Sequence, residues 1–280
     1  MLGALIGDIV GSVYEWHNHK SKDFPLFQPD CRMTDDSVMT AAVASAVLMG
    51  TVDLAQFQAN VVAEMRRLGR QHPRLGYGTR FEAWLANPDP QPYGSLGNGS
   101  AMRVSPVAWA AESLSQCLAL AKASAEVTHN HPDGIAGACV VAGAVYLARV
   151  GESKAAIADH VTRYYPLDFT LDEIREDYAF DVTCAGSVPQ AMEAFLEAES
   201  FEDALRGAVS IGGVNVKDMD PGQLMNTVSF VLQNSHLIKA SILDNVRLGR
   251  PDASETQVMA ALEQAQCMDI IEKFPQGVHT

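Results

Sequence analysis

Basic residues are scarce in this chain of 280 residues. Twenty Lys and Arg stand against 34 Asp and Glu, which gives a formal net charge of −14 at pH 7. Binding to nucleic acid requires clustered Lys and Arg that neutralise phosphates. An acidic surface is also repelled by anionic lipid headgroups. The charge balance therefore argues against a nucleic-acid partner and against a membrane partner.

Long hydrophobic runs and paired cysteines are missing as well. The longest apolar stretch, about 135–150, is too short and too rich in Gly and Ala to cross a bilayer. Residues 1–11 contain Asp8 and no basic residue, unlike a secretory signal. The five cysteines are odd in number, scattered, and without metal-ligand spacing. Because this usage is typical of reduced thiols, we expect a cytoplasmic protein.

The first 210 residues have helical periodicity and no sustained period of two, which predicts an all-α fold. On the first helix Asp8 and Glu15 are predicted to lie about 20° apart, on a common face. Two carboxylates on an apolar helix are costly unless they meet a cation or water. Further helices are predicted near 53–69, 113–125, 135–150, 153–164, 170–180 and 187–197.

Thr34, Asp35 and Asp36 form the next polar cluster. The simplest interpretation is a helix start, where Thr34 caps and the acids favour the helix dipole. Together with the carboxylates of the first helix, the same oxygens suit a hard cation such as Mg²⁺ or Mn²⁺. We therefore expect Asp8, Glu15, Asp35 and Asp36 to converge on one cleft.

A glycine-rich loop, YGSLGNGSAMR at 93–103, leads into an apolar helix. It is either a flexible turn or a nest of backbone N–H groups that holds phosphate oxygens. It is not a P-loop, since no GK[ST] follows. His129 and His131 lie in THNHPDG, where a histidine either caps or supports a helix, or organises ligand or water.

Four segments in this order carry a specific resemblance: GDIVGSVYE (7–15), MTDDSVMT (33–40), GNGSAMRVSP (97–106) and THNHPDG (128–134). Through them, residues 1–213 resemble the ADP-ribosylglycohydrolase family, relatives of the enzyme that reactivates dinitrogenase reductase. The resemblance implies an all-α orthogonal multi-helix bundle with a binuclear Mg²⁺ (or Mn²⁺) centre in a cleft. It implies hydrolysis of the N- or O-glycosidic bond that links ADP-ribose to a protein side chain or a small molecule.

The resemblance also implies roles for individual residues. Thr34, Asp35 and Asp36 would be metal ligands. Glu15 and Asp35 would be catalytic, with Glu15 as general acid or base, and nearby carboxylate charge would stabilise an oxocarbenium-like sugar. The residues implied to hold ADP-ribose are Gly97, Asn98, Gly99, Ser100, Met102 and His129.

The sequence changes character after Ile211-Gly212-Gly213. In the family, an Asp-x-Asp-Thr motif that completes the metal site follows this stretch. Here the segment 214–217 reads VNVK, and Asp218 and Asp220 come later and precede Pro221. The resemblance therefore implies one metal site or weak binding, unless the displaced carboxylates substitute.

Residues 211–280 resemble an internal fragment of an ABC transporter nucleotide-binding domain, with Gln233 at the Q-loop position. The printed sequence has no Walker A motif and no signature motif, so ATP hydrolysis is not expected. For 214–280 we predict an α/β fragment without a core of its own. Its expected elements are a strand at 227–233 and helices at 241–248 and from 255, the latter capped by Ser254.

Three functions remain open on these residues. The first is an ADP-ribosylglycohydrolase impaired by the missing motif. The second is a catalytically inactive module that binds ADP-ribose, and the third is a non-functional hybrid. The expected partner is an ADP-ribosylated protein or an ADP-ribose-containing small molecule, and the partner of the tail is unknown.

Overall fold

The chain divides into two structural units, Met1–Asn226 and Thr227–Thr280. The structure, a computed structural model, describes residues 2–15, 19–212, 241–247, 253–264 and 276–279. The helices described in the first unit are α1 (Leu2–Gly11), α2 (Asp35–Met49), α3 (Leu54–Gln71), α4 (Thr79–Ala86), α5 (Gly99–Met102), α6 (Ser105–Ala110), α7 (Leu114–Glu126), α8 (Pro132–Arg149), α9 (Lys154–Val161), α10 (Leu171–Ile174), α11 (Cys184–Glu197) and α12 (Phe201–Ser210).

Side-chain caps set where many of these helices begin. Thr34 Oγ1 accepts a hydrogen bond from the Asp36 N–H at the start of α2, so the predicted helix start is confirmed. Asp53 Oδ1 does the same at the start of α3. A cap of this kind typically stabilises a helix by about 1 kcal/mol. The other hydroxyl caps are Ser113, Ser153, Thr170, Thr183 and Ser200.

Helix α8 lies at the centre of the larger core. It packs against α5, α6, α7, α9 and α11, and its residues 137–145 are all buried. These residues are Gly, Ala, Val and Cys, whose small side chains let neighbouring helices approach closely. At Gly143 the approach is extreme, because a Cβ atom there would lie 2.2 Å from His160 Nε2 on α9.

A second core cluster fixes the end of the N-terminal helix. Val10 and Tyr14 pack with apolar side chains of α10, α11 and α12. Lys20 Nζ donates a hydrogen bond of 2.9 Å to the Ile211 carbonyl, just after α12. Because Tyr14 is held in this cluster, the backbone that carries Glu15 is held as well.

Two sequence predictions about helix length are wrong. α1 ends at Gly11, so Glu15 lies in a turn and does not share a helical face with Asp8. The Ser12 hydroxyl donates to the Ile9 carbonyl, a local bond that competes with helix continuation. The helix expected at 170–180 is only α10; a turn follows it, and the Tyr178 carbonyl and hydroxyl make tertiary hydrogen bonds.

Most of the described residues of the second unit are helical. Ile242–Arg247 and Glu255–Gln264 are α-helices, as predicted, and Gly277–His279 is a 3₁₀ turn. Ser254 Oγ accepts from the Gln257 N–H at 3.2 Å, which confirms the predicted cap. A small apolar cluster in this unit consists of Leu243, Val258, Leu262 and Val278.

The fold class is all-α, as predicted. Within the described ranges the one strand-like pairing is an isolated bridge between Gly97 and Thr183. The strand expected at 227–233 and the carboxylates of Asp218 and Asp220 lie outside the residues that the structure describes. Among the described helices, none combines the length and the apolar character that a membrane span requires.

The contact between α8 and α9 generates a stability test. Gly143→Ala should lower the free energy of unfolding by about 2 kcal/mol, since the new methyl group would overlap the His160 ring. Gly11→Ala is the matched control, because a Cβ there meets no atom within 4 Å. Urea unfolding measures both. In a His160→Ala background the cost of Gly143→Ala should largely vanish; an undiminished cost there would contradict the contact.

Candidate functional site

One cleft contains most of the predicted site residues. Its volume is about 530 Å³, within the range of about 300–1,000 Å³ that is usual for small-molecule sites. Its walls come from the start of α2, from α4, from the glycine-rich loop and from residues 180–183. The predicted residues that line it are Glu15, Asp35, Asp36, Gly97, Asn98, Gly99, Met102 and His129.

Thr34 and Ser100 are predicted site residues that do not line the cleft. Ser100 is completely buried, and its hydroxyl donates to the Gly134 carbonyl of α8 at 2.6 Å. Its role in this structure is to hold the loop against α8. The Thr34 side chain is buried behind the cleft wall, next to Asp36.

Asp8 joins α1 to the first turn of α2 through a set of buried hydrogen bonds. Its Oδ2 accepts from Thr34 N–H at 2.9 Å, Ser37 N–H at 3.2 Å and Ser37 Oγ at 2.5 Å. Its Oδ1 lies 2.5 Å from Thr34 Oγ1. Asp8 is therefore a supporting carboxylate behind the cleft, whereas Glu15, Asp35 and Asp36 reach its surface.

The position of the Thr34 hydroxyl fits a hard cation. Thr34 Oγ1 lies 2.5 Å from Asp8 Oδ1 and 2.9 Å from Asp36 Oδ2, yet its single proton can serve only one of them. The hydroxyl proton of Thr34 is assigned to the shorter contact, to Asp8 Oδ1. Thr34 Oγ1 then presents a lone pair on the side of Asp36, next to Asp36 Oδ2. Two neighbouring ligands in an octahedron with bonds of about 2.1 Å are about 3 Å apart, so the spacing suits Mg²⁺.

The acidic side chains do not form a complete protein cage for a metal. Among the described residues, no three His, Cys, Asp or Glu side chains are grouped in a way that could hold an ion. A threonine hydroxyl and two carboxylates would leave most of the coordination shell of an ion to water or substrate. The donor types fit the predicted metal, and the number of donors fits a weak site.

The glycine-rich loop is held by residues that follow it by more than 80 positions. The Asn98 N–H donates to the Val182 carbonyl at 2.8 Å, and the Cys184 N–H donates to the Leu96 carbonyl at 3.0 Å. The Gly97 N–H donates to Ser95 Oγ at 3.2 Å. The predicted nest for phosphate is therefore reduced, and other donors in the cleft must supplement it, because these backbone N–H groups of the loop are already bonded: Tyr93, Gly94, Ser95, Gly97, Asn98 and Met102.

Arg103 supplies a buried positive charge at this wall. It is 1% exposed, and its guanidinium donates to the carbonyls of Gly99 and Ser124 and to Thr128 Oγ1, at 2.8–3.0 Å. Burial lowers the pKa of Arg103 to about 10, so it stays charged at neutral pH. In the described part of the chain no carboxylate lies within ion-pair distance of it. An anion in the cleft would meet a charge that no acidic side chain cancels.

A second cation, Arg80 of α4, lies over the ring of Tyr93, with 4.8 Å between the guanidinium carbon and the ring centroid. Both residues line the cleft. The Tyr93 ring lies beside His129, with 6.1 Å between centroids. Burial, followed by the charges of Arg103 and Arg80, holds the pKa of His129 well below its ordinary value of 6.5. The imidazole is therefore neutral at pH 7.

Comparison with known proteins agrees with this architecture. A family model described as ADP-ribosylglycohydrolase matches residues 1–216 of the 280. The chain belongs to the ADP-ribosylglycohydrolase family. A solved structure described as an ADP-ribosylglycohydrolase-related protein complex has a TM-score of 0.57, covering 81% of this chain and 90% of its own. Its sequence identity is 24%, so this likeness concerns the fold.

A second similarity is to ATP-binding regions of ABC transporters, as the sequence predicted. The chain is 34% identical over 115 residues to the glutathione/L-cysteine transport system ATP-binding/permease protein CydD of Escherichia coli, covering 41% of this chain and 19% of CydD. It is 39% identical over 83 residues to the mitochondrial potassium channel ATP-binding subunit of Xenopus tropicalis, covering 29% of this chain and 12% of that subunit. The chain thus spans less than a fifth of either relative. The predicted domain boundary at 213/214 stays a prediction.

Several cleft residues of this family member were not predicted from the sequence. Arg103 lies within the quoted GNGSAMR motif, and its charge beside the glycines was an available signal. Tyr93 opens the quoted glycine-rich loop but was assigned no role, whereas Arg80 and Phe180 belong to no recognised motif, and only the tertiary fold brings them to the cleft. Helical periodicity could not predict that the basic side chain of Arg80 on α4 borders the cleft.

The Asp8 contacts generate a prediction with a matched pair of variants. Asp8→Ala leaves the buried donors of Thr34 and Ser37 unsatisfied and should lower the free energy of unfolding by at least about 3 kcal/mol. Asp8→Asn should retain most of the stability, because one oxygen can accept the three donors while the amide N–H₂ donates to Thr34 Oγ1. Urea unfolding checks both variants. Equal losses for the two would contradict the assignment.

Proposed function

We propose that this chain hydrolyses the glycosidic bond between ADP-ribose and a protein side chain or a small molecule. Membership of the ADP-ribosylglycohydrolase family and the shared fold support a glycohydrolase function in general. The observation that carries the finer proposal is the mixed character of the cleft. It is lined by the acidic residues Glu15, Asp35 and Asp36 and by the basic residues Arg80 and Arg103. The acids suit the reacting sugar, and the cations suit a diphosphate.

In this proposal Glu15 acts as general acid or base. It would protonate the departing group, or accept a proton from the attacking water, as the bond to the ribose carbon breaks. Positive charge then develops on the sugar ring, and the carboxylates of Asp35 and Asp36 would stabilise it. Carboxyl groups that share one cleft are the common machinery of glycoside hydrolysis.

The proposal includes a divalent cation, Mg²⁺ or Mn²⁺, held by Thr34, Asp35 and Asp36. Such an ion would fix the geometry of a water molecule or a ribose hydroxyl and lower the cost of proton transfer. The support is the all-oxygen donor set and the spacing of 2.9 Å between Thr34 Oγ1 and Asp36 Oδ2. Since VNVK follows Gly213 where the family has Asp-x-Asp-Thr, we propose that the second ion is lost and that turnover is impaired.

Binding of ADP-ribose without turnover is the second candidate function. The replaced metal motif favours it, because the described walls that would contact the diphosphate do not depend on that motif. A non-functional hybrid would neither bind nor hydrolyse. We further propose a cytoplasmic location, on the cysteine usage of the sequence.

Release of ADP-ribose from N- and O-linked ADP-ribosylated peptides in the presence of Mg²⁺ tests the activity. Glu15→Gln and Asp35→Asn should each reduce the rate by about 100-fold, a typical loss for a general acid–base or charge-stabilising group. Asp168→Asn, which changes an exposed carboxylate outside the cleft, is the matched control and should keep the parental rate. Wild-type binding of ADP-ribose without release would favour the second candidate, and unchanged rates in both cleft variants would sink the site assignment.

The metal proposal has its own test. Titration calorimetry should find at most one weak Mg²⁺ site in this chain, since three protein oxygens leave the ion mostly hydrated. A variant with Asp-Ser-Asp-Thr directly after Gly213, followed by a C-terminal helix of the family type, should bind a second ion and hydrolyse about 100-fold faster. Two tight sites in the present chain, with hydrolysis at the rate of the restored variant, would overturn this view.

A further inference from the structure

A buried chain of hydrogen bonds leads from Arg103 to His129. Arg103 Nη2 donates to Thr128 Oγ1 at 2.8 Å, and Thr128 Oγ1 lies 2.7 Å from His129 Nδ1. Thr128 is fully buried, and His129 is 5% exposed. Of these three side chains, the structure places Arg103 and His129 at the cleft, with Thr128 between them.

The direction of these bonds follows from counting protons. A guanidinium has no acceptor, so Thr128 Oγ1 must accept from Arg103. The threonine hydroxyl then keeps one proton, and His129 Nδ1 is its only acceptor within the described ranges. If Nδ1 carried its own proton, the hydroxyl of Thr128 would be a buried donor without an acceptor. The network is complete only when Nδ1 is bare and the proton of the neutral ring is on Nε2.

His129 Nε2 points to the glycines of the loop. A Cβ atom at Gly99 would lie 3.1 Å from Nε2, and one at Gly97 would lie 3.7 Å away. In the part of the chain that the structure describes, Nε2 has no hydrogen-bond partner, whereas Nδ1 has Thr128. The ring thus directs an N–H donor to the place where only glycines leave room for a ligand. Burial, followed by the charges of Arg103 and Arg80, lowers the pKa of His129 and keeps the ring neutral, as described above.

We propose that Arg103 and Thr128 are positioning residues that hold His129 as the Nε2–H tautomer, so that Nε2–H donates to an oxygen of the bound ligand beside Gly97 and Gly99. Only the identity of that ligand, ADP-ribose, rests on the proposed function. The oxygen belongs to a phosphate or to a ribose hydroxyl, since both are acceptors. The role of Arg103 is indirect: it occupies a lone pair of Thr128 and thereby turns the threonine proton to His129.

The tautomer itself can be measured in the free protein. Histidine labelled with ¹⁵N, observed by long-range ¹H–¹⁵N NMR at pH 7, reports which ring nitrogen carries the proton. His129→Gln identifies the His129 signals by their loss. We expect the Nε2–H pattern, with the Nδ1 shift moved by the hydrogen bond from Thr128 and that displacement lost in Thr128→Val. A ring protonated on Nδ1, or an Nδ1 shift that Thr128→Val leaves unchanged, would overturn the proposal without reference to any ligand.

Binding measurements distinguish a positioning role of Thr128 from a role in packing alone. With ADP-ribose as the titrant, Thr128→Ser keeps the hydroxyl and should bind within about twofold of wild type, whereas the isosteric Thr128→Val should bind about tenfold more weakly. His129→Gln places an amide donor near Nε2 and should bind more tightly than His129→Asn, whose amide lies near Nδ1. ADP and adenosine as titrants distinguish the acceptors. A phosphate acceptor predicts the tenfold difference between Thr128→Val and Thr128→Ser with ADP but not with adenosine, an acceptor on the adenosine ribose predicts it with both, and an acceptor on the terminal ribose predicts it with neither.

The outcomes distinguish this inference from the proposed function. If wild type fails to bind ADP-ribose, the proposed function fails, while the NMR measurement still decides the tautomer. If wild type binds or hydrolyses but Thr128→Val matches Thr128→Ser with ADP-ribose, the proposed function stands and the positioning role is wrong. Circular dichroism of both variants confirms that they are folded before either comparison is made.

Discussion

The carboxylate of Asp8 is the constraint on which the acidic wall of the cleft depends. It is 3% exposed, and a charge in such a place is tolerated only when its oxygens are fully bonded. Its partners are the backbone and hydroxyl groups of Thr34 and Ser37, which belong to the start of α2. These bonds fix the orientation of that first turn relative to α1. Asp35 and Asp36 consequently reach the cleft, while Thr34 remains behind them.

Arg103 is the corresponding buried charge on the basic wall, and its charge is positive. Asp8 is surrounded by N–H and O–H donors, and Arg103 by carbonyl and hydroxyl oxygens. In both cases fixed dipoles, and not a counter-ion from the described residues, stabilise the buried charge. A charge held by dipoles is not cancelled as it would be in an ion pair, and its field extends into the neighbouring cleft. Preorganised fields of this kind are what a site uses to bind charged groups.

The sequence predicted the all-α class and several of the residues that meet at the cleft. Its predictions failed where tertiary contacts determine the local structure. The cap at Thr34 could be predicted because a cap is local, and its residues are adjacent in the chain. Apolar periodicity contains neither the local hydroxyl bond of Ser12 beside the end of α1 at Gly11 nor the tertiary bonds of Tyr178 beyond the short α10. Glu15 reaches the cleft by a turn and not by the helical phase that suggested it. For the same reason Arg80 was missed, since nothing near it in the chain marks the cleft that α4 borders.

The pairing of the glycine-rich loop with residues 182–184 has a consequence for synthesis of the protein. The described lining of the cleft runs from Glu15 to Thr183, and backbone bonds to Val182 and from Cys184 tie the loop to the far wall. A nascent chain therefore cannot close the cleft until Thr183 has left the ribosome, because such long-range pairing must wait for its later partner. Residues 214–280 are translated after that point. They come too late to guide the assembly of the cleft.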